Sequence, residues 1–183
     1  NAKFGIMFGK IVNWFLNVKN KFFRKILEII TGIDKRSILP KYNDETFEKY
    51  SKKNKDEINK FAPGFGRKAV IYSTCFVNYN KKNTGIAAIK VLEKNGVQIE
   101  NIYPGCCGMP YLEQADLEKV SKQAKKISKD LLPWIHKGYD IITLTASCGL
   151  MLKFEWPLLL HDDENIKKLS KHTKDIDEYI VDI

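Results

Sequence analysis

The segment Tyr103-Pro104-Gly105-Cys106-Cys107-Gly108-Met109-Pro110 constrains this chain more than any other. Two adjacent cysteines stand between two glycines, with a proline beyond each. Neighbouring cysteines seldom bridge each other, because disulfide geometry needs Cα atoms farther apart than one peptide bond easily gives. Glycine lets the backbone turn sharply and approach a bound group. Proline removes a donor and stops a helix or strand from running through. A loop of this kind suits two thiolates directed at one metal centre. Cys75 and Cys148 have similar settings, Tyr72-Ser73-Thr74-Cys75 and Thr145-Ala146-Ser147-Cys148, each after an apolar, β-branched run. The expectation is a single cluster of all four cysteines.

The surrounding pattern says how four distant cysteines could meet. Apolar runs predict strands over 68–73, 97–103 and 140–145. Helical periodicity predicts helices over 83–95, 112–137 and 149–156, the last ending before Pro157, with further helical pieces over 164–171 and 175–183. In the long helix Leu117, Val120, Ala124, Ile127 and Leu131 form the expected core stripe. Alternating strands and helices imply a parallel sheet with right-handed crossovers. The fold class is therefore α/β, a Rossmann-like three-layer domain with a small parallel sheet. Each cysteine falls just past the carboxyl end of a predicted strand, the edge where open parallel sheets bind ligands.

Ahead of this domain, residues 1–66 read as a basic, α-helical N-terminal extension and linker, with the boundary at Pro63-Gly64-Phe65-Gly66 and the cysteine domain over 67–183. Phe4, Phe8, Ile11, Phe15, Val18, Phe22, Ile26, Ile29 and Ile33 recur at helical spacing. Lys10, Lys19, Lys21, Arg24 and Lys25 take the other faces. Two readings stand: a helix or two packed on a neighbouring domain or subunit, or an interfacial helix with Trp14 and the phenylalanines among lipid headgroups. The longest charge-free interior stretch, Ile11 to Val18, is too short to span a bilayer. Asp44-Glu45-Thr46-Phe47 reads as a short helix start, and Lys52 to Lys60 as a solvated face or linker. The chain opens on Asn1 rather than Met, and the expectation is a piece of a longer protein.

Composition narrows the chemistry. The chain has 183 residues, 44% of them hydrophobic, and a net charge of +9, enough for one domain with a real core and a bias toward acidic partners. Four cysteines are too few for a disulfide scaffold, and nothing resembles a secretory signal, so the expected setting is reducing and cytoplasmic, with free thiols. Structural zinc sites draw ligands from close Cys-x-x-Cys knuckles, which this chain lacks. A thiolate iron–sulfur cluster takes ligands from distant loops, and backbone N–H groups at Gly105 and Gly108 are placed to bond its sulfurs. No recognition motif for nucleic acid is present, and no nucleic-acid partner is expected.

Cys75, then Pro104-Gly105-Cys106-Cys107-Gly108, then Ser147-Cys148-Gly149-Leu150-Met151-Leu152-Lys153-Phe154-Glu155-Trp156-Pro157 resembles the cysteine-rich CCG domain family over roughly residues 67–160. That family includes one of the subunits of heterodisulfide reductase, and the last stretch is most similar to the branch of the anaerobic glycerol-3-phosphate dehydrogenase C subunit. The resemblance implies an iron–sulfur protein, of 4Fe–4S type, with Cys75, Cys106, Cys107 and Cys148 as ligands. It implies an electron-transfer subunit rather than a stand-alone catalyst. Electrons would pass from a flavin-dependent dehydrogenase subunit or domain toward quinone or a disulfide acceptor, at the inner face of the membrane if residues 1–33 make a peripheral contact there. Where the family often closes with a second cysteine, Met151 stands. Two other readings remain open: a metal-free thiol/disulfide redox module, and a zinc or scaffold interaction module. His136, His161 and His172 read as surface or capping residues, Lys153 and Glu155 as an exposed pair, and Asn78, Tyr79 and Asn80 as turn formers.

Overall fold

The structure, a computed structural model, describes residues 6–54 and 57–183. Phe4 of the N-terminal stripe, and Lys55 and Asp56 of the charged run, lie outside the described residues. In chain order the elements are α1 (Gly9–Phe15), α2 (Lys21–Thr31), α3 (Phe47–Lys53), β1 (Lys68–Tyr72), α4 (Cys75–Tyr79), α5 (Lys82–Lys94), β2 (Gln98–Ile102), α6 (Met109–Leu112) and α7 (Leu117–His136). They continue with β3 (Asp140–Thr143), α8 (Ala146–Leu150), a π-helical turn (Met151–Glu155), α9 (Trp156–Leu159), α10 (Glu164–Lys171), β4 (Thr173–Asp175) and α11 (Ile176–Val181).

The sheet has four strands in the order β2-β1-β3-β4, and every pairing is parallel. Tyr72 stands opposite Ile102 on one side and Thr143 on the other, so the carboxyl ends of β1, β2 and β3 finish level. Side chains of β1 alternate between the two faces. Val70 and Tyr72 join Val120, Ala124, Ile127 and Leu131 of α7 in one core. Ala69 and Ile71 join Phe47, Ala88, Leu92 and Tyr179 in the other. Two helical layers sandwiching a parallel sheet are the expected three-layer α/β arrangement.

Several elements differ from the sequence reading, each for a local reason. The long helix is two: α6 stops where Ala115 takes φ 56°, and α7 restarts at Leu117, with the Asp116 carboxylate accepting from Lys119 N. Leu117 is 45% exposed and falls outside the core stripe. The helix after Cys148 does not end before Pro157; a π turn intervenes, and Pro157 sits in the first turn of α9, where a missing N–H costs nothing. A fourth strand, Thr173–Asp175, pairs with β3. Phe47 is fully buried, and its ring lies so close over Gly85 that a Cβ there would come within 2.5 Å of it.

At the N-terminus α1 and α2 form a hairpin held by aromatic edges. Phe15 meets Phe23 edge-on at 4.6 Å between centroids, and Trp14 lies 5.4 Å from Phe23. Arg24 is not on the outward basic face: it is buried and donates from Nε to Lys35 O and from Nη2 to Asp34 O and Ser37 O. Those bonds clamp the chain after Gly32, which closes α2 with φ 72°. Among the described residues no helix is long and apolar enough to cross a membrane.

Candidate functional site

Three loops leave the level strand ends and carry the cysteines. After β1, Ser73 N bonds Ile102 O, and the Thr74 hydroxyl accepts from Val77 N, capping α4. This cap puts Cys75 in the first helical position. After β3, Thr145 precedes α8, which contains Cys148. The hydroxyls of Thr74 and Thr145 meet at 3.0 Å and tie the two loops together. Gly149 lets α8 settle onto β3 and β4, since a Cβ there would collide with Asp175 Oδ1 and Thr143 Oγ1.

The third loop, after β2, carries Cys106 and Cys107 and is fixed by two buried side chains. Tyr72 Oη donates to Gly105 O at 2.7 Å. Trp156 Nε1 donates to Cys107 O at 3.1 Å. These bonds hold the carbonyls on either side of Cys106. Gly108 at φ 94° then turns the chain into α6, a left-handed conformation that side-chain-bearing residues rarely take. The Gly108 N–H is directed to the Cys106 sulfur and the Met109 N–H to the Cys107 sulfur. The Phe76 N–H and the Ser147 hydroxyl serve Cys75 and Cys148 in the same way.

The four thiols meet. Cys107 donates to Cys148 Sγ at 3.3 Å, and Cys106 is hydrogen-bonded to Cys107 and Cys75. All four are free cysteines, Cys107 and Cys148 buried and Cys75 and Cys106 half-buried. The cluster therefore has a closed side and an open side. Its protons are unevenly held. Donation to Cys106 pushes the Cys75 thiol up, with burial adding to it. Cys107, donating to Cys106 and Cys148, is also pushed up. Accepting those bonds lowers Cys106 and Cys148. Each negative sulfur is thus matched by a protonated neighbour, which is how a thiol group of this density remains tolerable without a cation.

Among the described residues no group of three or more His, Cys, Asp or Glu side chains is arranged around a metal ion; the sulfurs run edge to edge from Cys75 to Cys148. The donor set nevertheless fits an iron–sulfur group in kind. It is all sulfur, it comes from loops on one sheet edge, and backbone N–H groups reach three of the sulfurs. No histidine or carboxylate contributes. His172 Nδ1 faces Asp140 at 3.4 Å, and His161 pairs with Asp162 on the surface.

Other nearby residues depart from the reading made of them. Lys153 is not an exposed partner of Glu155. Its Nζ bonds both carboxylate oxygens of Glu178 at 2.5 and 2.6 Å and lies 3.7 Å from Asp175, fastening the π turn to β4 and α11. Asn78 is buried, and its Oδ1 accepts from Glu48 N, so it supports α3. Met151 is buried in the core beside Cys107 and Cys148. The roles of Tyr72, Trp156 and Ser147 are not legible in the sequence. Trp156 stands in a recognisable motif, yet nothing in the pattern assigns its indole to a loop carbonyl.

The sequence profile of the CCG cysteine-rich domain family matches residues 69–153, a span that begins in β1 and contains all four cysteines. Residues 69–153 are a CCG cysteine-rich domain. The C subunit of anaerobic glycerol-3-phosphate dehydrogenase from Escherichia coli (strain K12) is 28% identical over 158 residues, covering 85% of this chain and 38% of that protein. Lactate utilization protein A of Bacillus pumilus is 29% identical over 123 residues, 63% of this chain and 49% of that protein. The Bacillus cereus (strain B4264) protein of the same name is also 29% identical over 123 residues. The chain spans less than half the length of these relatives. No solved structure matches it.

Proposed function

We propose that this CCG domain is part of an iron–sulfur redox subunit, with Cys75, Cys106, Cys107 and Cys148 as cluster ligands and 67–183 as the electron-transfer domain. The observation that carries the reading is the meeting of four thiols from three loops at one sheet edge. Relatives named as a dehydrogenase subunit and as a lactate utilization protein support it. A bound cluster, of 4Fe–4S type, would supply one-electron chemistry. The chain's own residues do the rest. Tyr72 and Trp156 fix the loop carbonyls, while the N–H groups of Phe76, Gly108 and Met109 stabilise negative charge on sulfur and so raise the reduction potential. Burial of Cys107 and Cys148 keeps water from the inner side, and the open side at Cys75 and Cys106 is where electrons enter and leave. Gly105 and Gly108 shape that opening. In this reading the donor is a flavin-dependent dehydrogenase subunit or domain and the acceptor a quinone or disulfide.

The direct test compares wild type with Cys107→Ser after anaerobic reconstitution with iron and sulfide. Wild type is expected to take up a brown chromophore and the variant to lose it. A variant that kept the full absorbance would remove Cys107 from the ligand set and the reading with it.

The 3.3 Å approach of Cys107 and Cys148 sulfurs favours a second reading, a metal-free dithiol/disulfide pair. Thiol counting on metal-free protein before and after a disulfide oxidant separates the two. Loss of two thiols together, in a protein that never takes up iron, would favour the pair.

A further inference from the structure

We propose that the α1–α2 hairpin lies on an anionic lipid bilayer and seats the open side of the cysteine cluster beside it. The lipid contact stands on the hairpin alone; its use in electron transfer rests on the redox reading above.

The hairpin shows an apolar face that nothing among the described residues covers. Phe22, Ile26, Ile29 and Ile30 share one side of α2 by helical spacing, and Phe22, Ile29 and Ile30 are 69–75% exposed. On α1, Ile11 and Trp14 are more than half exposed. The opposite side of α2 is spoken for, because buried Arg24 is bonded to the carbonyls of residues 34, 35 and 37. The outward side is therefore fixed, not free to roll inward. An exposed apolar stripe of this size marks a docking surface.

Charge selects the occupant. From residue 6 to residue 38 the chain has seven lysines and arginines against two acidic residues. Lys21 and Lys25 flank the apolar stripe of α2, both exposed. Apolar stripe, flanking lysines and an aromatic ring at the hairpin tip are what a helix needs to lie in the headgroup layer of an anionic bilayer. A second copy of the same surface would bring like charges together. Neither helix is long enough to cross, so the contact is flat.

Hydrogen bonds connect this surface to the cysteines. Asn13 Nδ2 donates to Tyr42 O, and Tyr42 N donates to Asn13 Oδ1, both at 2.8 Å. The next residue, Asn43, donates from its backbone N to Tyr79 O at 2.7 Å and from its side chain to Asn78 O. Asn78 and Tyr79 end α4, the helix that begins at Cys75. The hairpin is thus fastened to the element that presents an open-side thiol, and a bilayer under the hairpin lies next to that edge.

The test is co-sedimentation of the full chain with vesicles of phosphatidylcholine alone or mixed with phosphatidylglycerol, over a salt series. Binding is expected only to the mixed vesicles, weakening as salt rises. Ile29→Glu/Ile30→Glu should lower the partition coefficient roughly tenfold or more, and Lys21→Gln and Lys25→Gln about fivefold each. The two isoleucines touch no core, so an unchanged melting curve shows that the double variant is folded. Equal sedimentation of wild type and double variant, or none by wild type, overturns the proposal. A wild-type dimer that the double variant abolishes, without vesicle binding, assigns the face to a second copy and also overturns it. Iron uptake is measured on the same samples. Vesicle binding without iron sinks the redox reading alone, and iron without vesicle binding sinks the lipid contact alone.

Discussion

The cysteine edge and the N-terminal hairpin depart from ordinary burial in opposite senses. At the edge, soft and polar groups go inside: two cysteines, the Tyr72 hydroxyl, and the Ser73 and Thr74 side chains are all buried, and each has a named partner. On the hairpin, phenylalanine and isoleucine go outside, while one arginine goes in. Burying polar groups is tolerable only with hydrogen bonds supplied, and the edge supplies them from strand ends, helix starts and two aromatic side chains. Exposing apolar groups forfeits stabilisation that burial would have given. Both departures cost free energy, and each points to a partner outside the chain, an electron-carrying group at the edge and a lipid surface at the hairpin.

Substitutions break this contrast in graded steps. Trp156→Ala removes a fully buried ring and the donor to Cys107 O together, and is expected to cost about 3–5 kcal/mol in denaturant unfolding. Trp156→Phe keeps most of the packing and isolates the unsatisfied carbonyl, at about 1–3 kcal/mol. If the two variants unfolded alike, the hydrogen bond rather than the packing would dominate. Gly108→Ala places a side chain at φ 94°, and about 1–2 kcal/mol is expected from the left-handed backbone alone; no contact closer than 3.7 Å awaits its Cβ. Tyr72→Phe leaves Gly105 O without its donor, about 1–2 kcal/mol by the same chemical denaturation. On the hairpin, Ile29→Glu/Ile30→Glu is expected to change stability by less than about 0.5 kcal/mol per site, read as the midpoint of thermal unfolding. A large loss there would mean that the face is core, and the contrast would collapse.

The parts legible in the sequence are those whose cause is local. Gly-Cys-Cys-Gly between prolines announces a loop because each residue restricts its own backbone. The first three strands carry continuous apolar runs, and their shared edge follows from the crossover rule. The parts that sequence hides have causes at a distance. Thr173-Lys174-Asp175 has no strand pattern; it is extended because it pairs with Ile141 to Thr143. Nothing in Leu112 to Leu117 resembles a glycine or proline break, yet Ala115 turns there; Asp116 as a helix cap is the available signal. Arg24 resembles one more outward cation because its three carbonyl partners lie ten to thirteen residues on. Gly85 inside a helix is a hint of close approach, but only packing reveals that Phe47 is what approaches. The cysteines stand out in the sequence, whereas the tyrosine and tryptophan that hold their loop do not, since a hydrogen bond to a carbonyl leaves no mark on spacing.

The central claim is that these four thiols hold iron and sulfide. The most direct measurement is iron and acid-labile sulfide content of the full chain reconstituted without oxygen, with electron paramagnetic resonance after dithionite reduction. Iron and sulfide in equal amounts, with a reducible signal lost in both Cys106→Ser and Cys75→Ser, is the predicted result. A signal unchanged in both variants, or a protein that retains no iron while keeping four titratable thiols, would contradict it.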